Sequence, residues 1–186
     1  FPGENCTPPP PNTTPPSVSF NESNKGKWFN GNPDFAVVSW TLQDQGGGIG
    51  GFNQNWDSDP LSSPPDDNNC CKNAASGDMR FSYISADKRE GEHRVYVRPW
   101  NGDRSNSGAV VNSGPYGYDN TPPTVTITSG QTNGATYNTP QRIEWKVEDG
   151  SNRSGVKGFG QAWDSTPPFQ FNSPTGWLDL PEGTHV

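Results

Sequence analysis

Little in this sequence could build a helix. One Met and four Leu stand among 186 residues, and no window places apolar residues at i, i+3, i+4 and i+7 through three turns, so helices are excluded as the main element. Long apolar runs are also missing. Without 18 consecutive apolar residues no segment reads as a membrane-spanning helix, and membrane insertion is not expected. Cations are few: 13 Lys plus Arg, scattered along the chain, stand against 20 Asp plus Glu for a formal net charge of -7. That balance gives no footprint for nucleic acid or an anionic membrane. Three Cys and two His are too sparse and too ill-spaced for a metal centre or a disulfide scaffold, so neither metal nor cofactor is expected. Leu, Ile, Val and Phe together make only about 15% of the chain, below the level at which disorder becomes the default. Seven Trp and five Tyr supply the missing apolar surface. A thin, aromatic core follows.

What is abundant is Gly (22) and Pro (20), the residues of turns and extended segments. Between them the sequence repeats itself. "PPSVSF" from Pro15 returns as "PPTVTI" from Pro122, "VSWTLQD" from Val38 as "IEWKVED" from Ile143, and "GFNQNWDSDP" from Gly51 as "GFGQAWDSTP" from Gly158. "EGEH" from Glu90 returns as "EGTH" from Glu182, about 15 residues earlier than the other offsets require. Four blocks in the same order point to a duplicated module, and a repeat decides the fold reading before any single motif does. The boundaries predicted are a Pro-rich extended tail over 1–14, a first module over 15–118 with a Cys-bearing insertion over about 61–80, and a second module over 119–186 that lacks its last strands. The start at Phe1 predicts a processed chain or a fragment.

Within the blocks apolar and polar residues alternate with period two. Val18 and Phe20 correspond to Val125 and Ile127; Val38, Trp40 and Leu42 correspond to Ile143, Trp145 and Val147. Strands of five to eight residues in modules of about 100 residues predict an all-β chain of two antiparallel β-sandwiches. Trp40 and Trp145 are predicted to fill the core, where one large ring bridges two sheets. "DNTPPTVTI", "SGVKGFGQAWDSTP" and "EGEHRVYVRPWNG" resemble bacterial extracellular Ig-like and fibronectin-III-like tandem repeats. The resemblance covers the chain from about Pro15 onward and implies stalks, adhesins, matrix or fibre-forming proteins, or accessory modules of secreted hydrolases. Two departures stand out: the Cys-bearing insertion of the first copy, and "PWNGDRSNSG" where an "AGN" turn often follows this strand.

Candidate sites are weighed against that frame. Gly46 to Gly51 satisfy Gly-x-Gly-x-x-Gly, but no helix pattern follows and the second copy breaks the spacing, so a turn is predicted rather than a phosphate cradle. His93 and His185 are equivalent positions with no nucleophile or acidic motif beside them, and no catalytic set is found. Asp119 and Asn120 could offer oxygens to calcium at the module junction, though no calcium-loop spacing is present. Cys6 lies in the tail, Cys70 and Cys71 in the insertion; a bridge from Cys6 to one of the pair, an inter-chain bridge, a vicinal bond and free thiols all stay open. Asn5, Asn12, Asn21 and Asn152 begin Asn-x-Ser/Thr acceptors, and Thr7, Thr13 and Thr14 beside Pro suit O-linked sugars. Trp28, Trp100 and Trp177 are candidate platforms for stacking a sugar. The expectation is a non-enzymatic extracellular or cell-surface structural protein, a tandem Ig-like stalk or filament subunit that associates with itself or with neighbouring repeats. For the incomplete second module three readings stay open: the sequence stops within a longer repeat array, a strand from a neighbouring chain completes the module, or the module pairs with nothing; the alternative function is a glycan-binding or adhesive accessory module.

Overall fold

The computed structural model describes residues 13–66, 71–130, 139, 141–162, 165–166, 169–171 and 173–179. Among them fourteen strands, β1 to β14, are joined by two single-turn 3-10 segments and no α-helix. The protein is all-β, built of small sheets in the manner of a β-sandwich. Backbone contacts divide it into two compact units, Phe1–Tyr118 and Asp119–Val186.

In the first unit β1 (Ser17–Phe20), β3 (Val37–Gln43) and β5 (Ser76–Arg80) form an antiparallel sheet in the order β1-β3-β5. A second sheet runs β4-β7-β8, with β4 at Gly51–Trp56, β7 at Val95–Trp100 and β8 at Val111–Asn112. The alternation in sequence explains the burial. Val38, Trp40 and Leu42 of β3 and Val95 and Val97 of β7 are buried, while Ser39 and Thr41 face away from the core, as a pleated strand requires. A third sheet joins β2 (Trp28–Phe29), β9 (Tyr116–Tyr118) and β6 (Gly91–His93) in the order β2-β9-β6. Here the expectation of purely antiparallel pairing needs correction, because β2 and β9 run parallel. The long stretch of chain between them supplies the crossover that a parallel pair needs.

The segment over 61–80, expected as an insertion, contributes a strand to the first sheet. Its last five residues are β5, paired with β3 from Val37↔Arg80 to Thr41↔Ser76.

In the second unit β10 (Thr124–Ser129), β11 (Arg142–Glu148) and β14 (Thr175–Asp179) pair in the order β10-β11-β14, and β12 (Phe159–Gly160) pairs with β13 (Phe169–Phe171). One core arrangement occurs in both units. Trp40 meets Phe52 edge-on at 5.4 Å, and Trp145 meets Phe159 edge-on at 5.6 Å. Each Trp is paired across the sheet with a glycine, Trp40 with Gly77 and Trp145 with Gly176. A Cβ on Gly77 would stand 2.7 Å from Trp40 and closer still to Phe52; on Gly176 it would stand 2.9 Å from Trp145 and closer still to Phe159. The Trp and Phe rings therefore occupy the space a side chain would take at either glycine.

The units differ in how far the apolar face is covered. Val125 and Ile127 pair with Val147 and Trp145, which puts them on the inward face, yet they are 64% and 61% exposed. Their counterparts Val18 and Phe20 are half-buried and pack on the core of the first unit. Among the described residues the second unit has no strand that plays the part of β7.

Candidate functional site

The two repeated blocks "WDS" and "EGEH" meet in the first unit. His93, on β6, is hydrogen-bonded through Nδ1 to Asp57 Oδ2 at 2.6 Å and donates from Nε2 to the Arg89 carbonyl at 2.8 Å. Asp57 Oδ1 accepts the Arg94 amide at 2.8 Å. Trp56 and Phe81 lie edge-on to the imidazole at 6.1 and 5.7 Å. Both ring nitrogens are therefore engaged, one by a side-chain carboxyl and one by a backbone carbonyl. A ring so engaged and buried has neither nitrogen free to meet a substrate. Arg89 knits the same region, donating to the carbonyls of Phe81 and Ile84 from Nε and to Ile84 again from Nη2. The counterpart His185 lies outside the described residues.

The glycine-rich stretch is a packed turn. Asp44 Oδ1 accepts the amides of Gly46 and Gly48 at 2.8 Å each, so two of the N–H groups a phosphate would need are already bonded to a carboxylate. The second unit does the same with different residues. Asp149 Oδ2 accepts the Gly155 amide at 2.8 Å, and Gly48 and Gly155, equivalent positions, sit at φ +74° and +85°, where a glycine is favoured.

Asp119 is buried and fully employed inside the second unit. Its Oδ1 accepts the Thr121 amide at 3.1 Å, its Oδ2 accepts the Ser154 amide at 2.8 Å and the Ser154 hydroxyl, and Arg153 stands 3.6 Å away. Burial pushes the carboxyl up, but the bonds from Ser154 and Thr121 and the Arg153 charge outweigh it and hold it below the ordinary carboxylate value. A guanidinium in that position works against a calcium reading. Among the described residues no group of three His, Cys, Asp or Glu side chains could hold a metal ion.

A testable consequence concerns acid. Because the folded carboxyl lies below its unfolded value, its contribution is complete above the unfolded pKa and is lost as pH falls through the folded one. Protection of the Ser154 amide in hydrogen exchange is expected to decline on acidification through that range. In Asp119→Asn it should already be weaker at pH 7, by roughly 1–3 kcal/mol, and should respond less to acid; equal protection in both proteins would contradict this role.

The remaining candidates separate by exposure. Cys71 is disulfide-bonded, while Cys6 and Cys70 lie outside the described residues, as do Asn5, Thr7 and Asn12. Thr13 and Thr14 are exposed, and the Thr13 carbonyl accepts from Asn101 and Asn106 side chains at 3.2 and 3.4 Å. Asn21 is exposed and caps a 3-10 turn by accepting the Ser23 amide, and Asn152 is exposed in a turn. Trp40 is buried and Trp145 half-buried in the arrangements described above.

The three stacking candidates differ in exposure. Trp100 is buried, its Nε1 donating to Asn53 Oδ1 at 2.7 Å, and half-buried Trp28 lies against Gly117. Alternation misleads at Trp100 because Pro99 and Trp100 are both buried at the end of β7. Trp177 is 53% exposed on the outward face of β14. Directly opposite it on β11 is Glu144, and the Arg142 guanidinium lies 4.1 Å from the centre of its ring. Asp179 Oδ1 accepts from Arg142 Nε at 2.9 Å and so orients that cation. Neither the Arg142 contact nor the pairing of Asp57 with His93 was foreseen from the sequence; for the latter, the joint repetition of "WDS" and "EG-x-H" was the signal available.

No protein-family model matches the chain, and no curated protein matches it. No helix among the described residues is long and apolar enough to cross a membrane.

Proposed function

We propose that this chain is a non-enzymatic extracellular structural protein, a pair of tandem Ig-like modules that serve as a stalk or as the subunit of a surface filament. The observation that carries this reading is the recurrence in both units of one Trp, Phe and Gly core arrangement within the same three-strand order. The side chains best suited to chemistry, His93 and Asp119, are engaged in holding backbone. The disulfide at Cys71 suits an oxidising compartment. In the filament form a strand of a neighbouring copy covers Val125 and Ile127, the part that the alternating Val95 and Val97 of β7 play in the first unit; such a strand adds by backbone pairing at a sheet edge.

Negative-stain microscopy and sedimentation of the purified chain over a concentration series test the filament. Assemblies that grow with concentration are expected, and Ile127→Asp should yield folded monomers. Isolated monomers of the unaltered protein at every concentration would overturn the filament reading.

A further inference from the structure

We infer that the outward face of β10, β11 and β14 is a binding platform for a neutral polysaccharide, centred on Trp177. The two units provide an internal comparison. In the first, the outward face of β1, β3 and β5 carries a shallow groove lined by Asn21, Ser39, Thr41, Ser76 and Asp78. In the second, the corresponding groove is lined by Thr128, Glu144, Lys146, Thr175 and Trp177. The registers match: Ser39 opposes Asp78, and Glu144 opposes Trp177. The fold therefore accepts a small acidic residue where the second unit exposes an indole. The indole is thus placed in water, beside a polar groove, at a position that the first unit fills with a carboxylate.

The surroundings select the chemistry. An indole offers a flat apolar face, and a pyranose ring offers a matching face of C–H groups with hydroxyls at its rim. Glu144, Thr128 and Thr175 stand where they can accept from or donate to those hydroxyls, and the Lys146 ammonium can donate as well. Arg142, tied to Asp179 at 2.9 Å, lies over one face of the ring and limits its rotation, which reduces the ordering cost of binding and leaves only the other face for a sugar to stack on. The charges exclude acidic polymers. Lys146 is paired with Glu148 at 2.9 Å and Arg142 with Asp179, and Glu144 adds a further negative charge, so the face has no excess of cations with which to hold sulfate, uronate or phosphate groups.

The test is an array of immobilised neutral hexasaccharides of glucose, mannose, galactose, xylose and N-acetylglucosamine, with heparin as the acidic comparison, probed with the full chain. Retention on at least one neutral sugar is expected. Trp177→Ala should weaken it at least tenfold, Trp177→Tyr should keep most of it, and Glu144→Gln should weaken it severalfold with an unchanged circular dichroism spectrum. Retention of no neutral sugar, binding that survives Trp177→Ala, or preferential binding to heparin would each overturn the inference. If Trp177→Ala fails to fold, Glu144→Gln and Trp177→Tyr decide: undiminished binding in Glu144→Gln, or binding lost in a folded Trp177→Tyr, overturns it.

Discussion

Trp40→Ala is expected to lower the stability of the first unit by about 3–5 kcal/mol, a large part of the total for a domain whose net stability is about 5–15 kcal/mol. The indole is 2% exposed and touches both sheets, edge-on to Phe52 and tilted against Phe20 at 5.8 Å. Gly77, opposite it, has no side chain with which to fill the void. Relaxation is therefore limited, and the cavity term should add to the lost burial. Trp40→Phe should cost less than the volume change alone implies, because among the described residues the buried Trp40 Nε1 finds no acceptor, and Phe removes that unsatisfied donor. Trp145→Ala makes the paired comparison. Trp145 is only half-buried, so its loss should be smaller. Urea unfolding followed by near-ultraviolet circular dichroism measures all three, and a Trp145→Ala effect equal to that of Trp40→Ala would contradict the burial argument.

The second large effect is expected at His93. His93→Leu keeps an apolar body among Trp56 and Phe81 but removes both ring nitrogens, leaving the Arg89 carbonyl without its bond and Asp57 with the Arg94 amide alone. Asp57 is 45% exposed, so water recovers part of its loss; the total is expected near 2–3 kcal/mol. Asp57→Asn, which keeps an acceptor for the Arg94 amide, should cost about 1 kcal/mol. If the imidazole were merely a space-filling ring, His93→Leu would be close to neutral and the thermal midpoint would not move.

Much of this fold was legible because strands announce themselves by alternation. Val18 and Phe20, Val38, Trp40 and Leu42, and Val95 and Val97 carry period two plainly, and their counterparts in the second unit repeat it. β5 and β14 were not legible as equivalents, since "SGDMR" and "TGWLD" share only the glycine. That one residue is fixed by the indole and phenyl ring against it, whereas the outward positions beside it are free to vary. Such a constraint comes from absent volume, which leaves no pattern in a hydropathy profile. The same freedom hid the platform: Asp78 and Trp177 look unrelated until the register sets them side by side. Burial at the end of β7 was beyond reach for a different reason, since whether Trp100 meets water depends on Asn53, which lies 47 positions earlier.

The parallel pair β2 and β9 bears on how the first unit would answer a pull. Trp28 lies opposite Gly117 and Phe29 opposite Tyr118, with further backbone bonds from Gly26 to Pro115 and from Gly117 to Lys27. Tension reaching β2 from the amino-terminal side and β9 from the carboxy-terminal side draws two parallel strands in opposite directions along their common axis. Their bonds then resist together in shear, instead of parting one at a time as they would in a hairpin opened from its end.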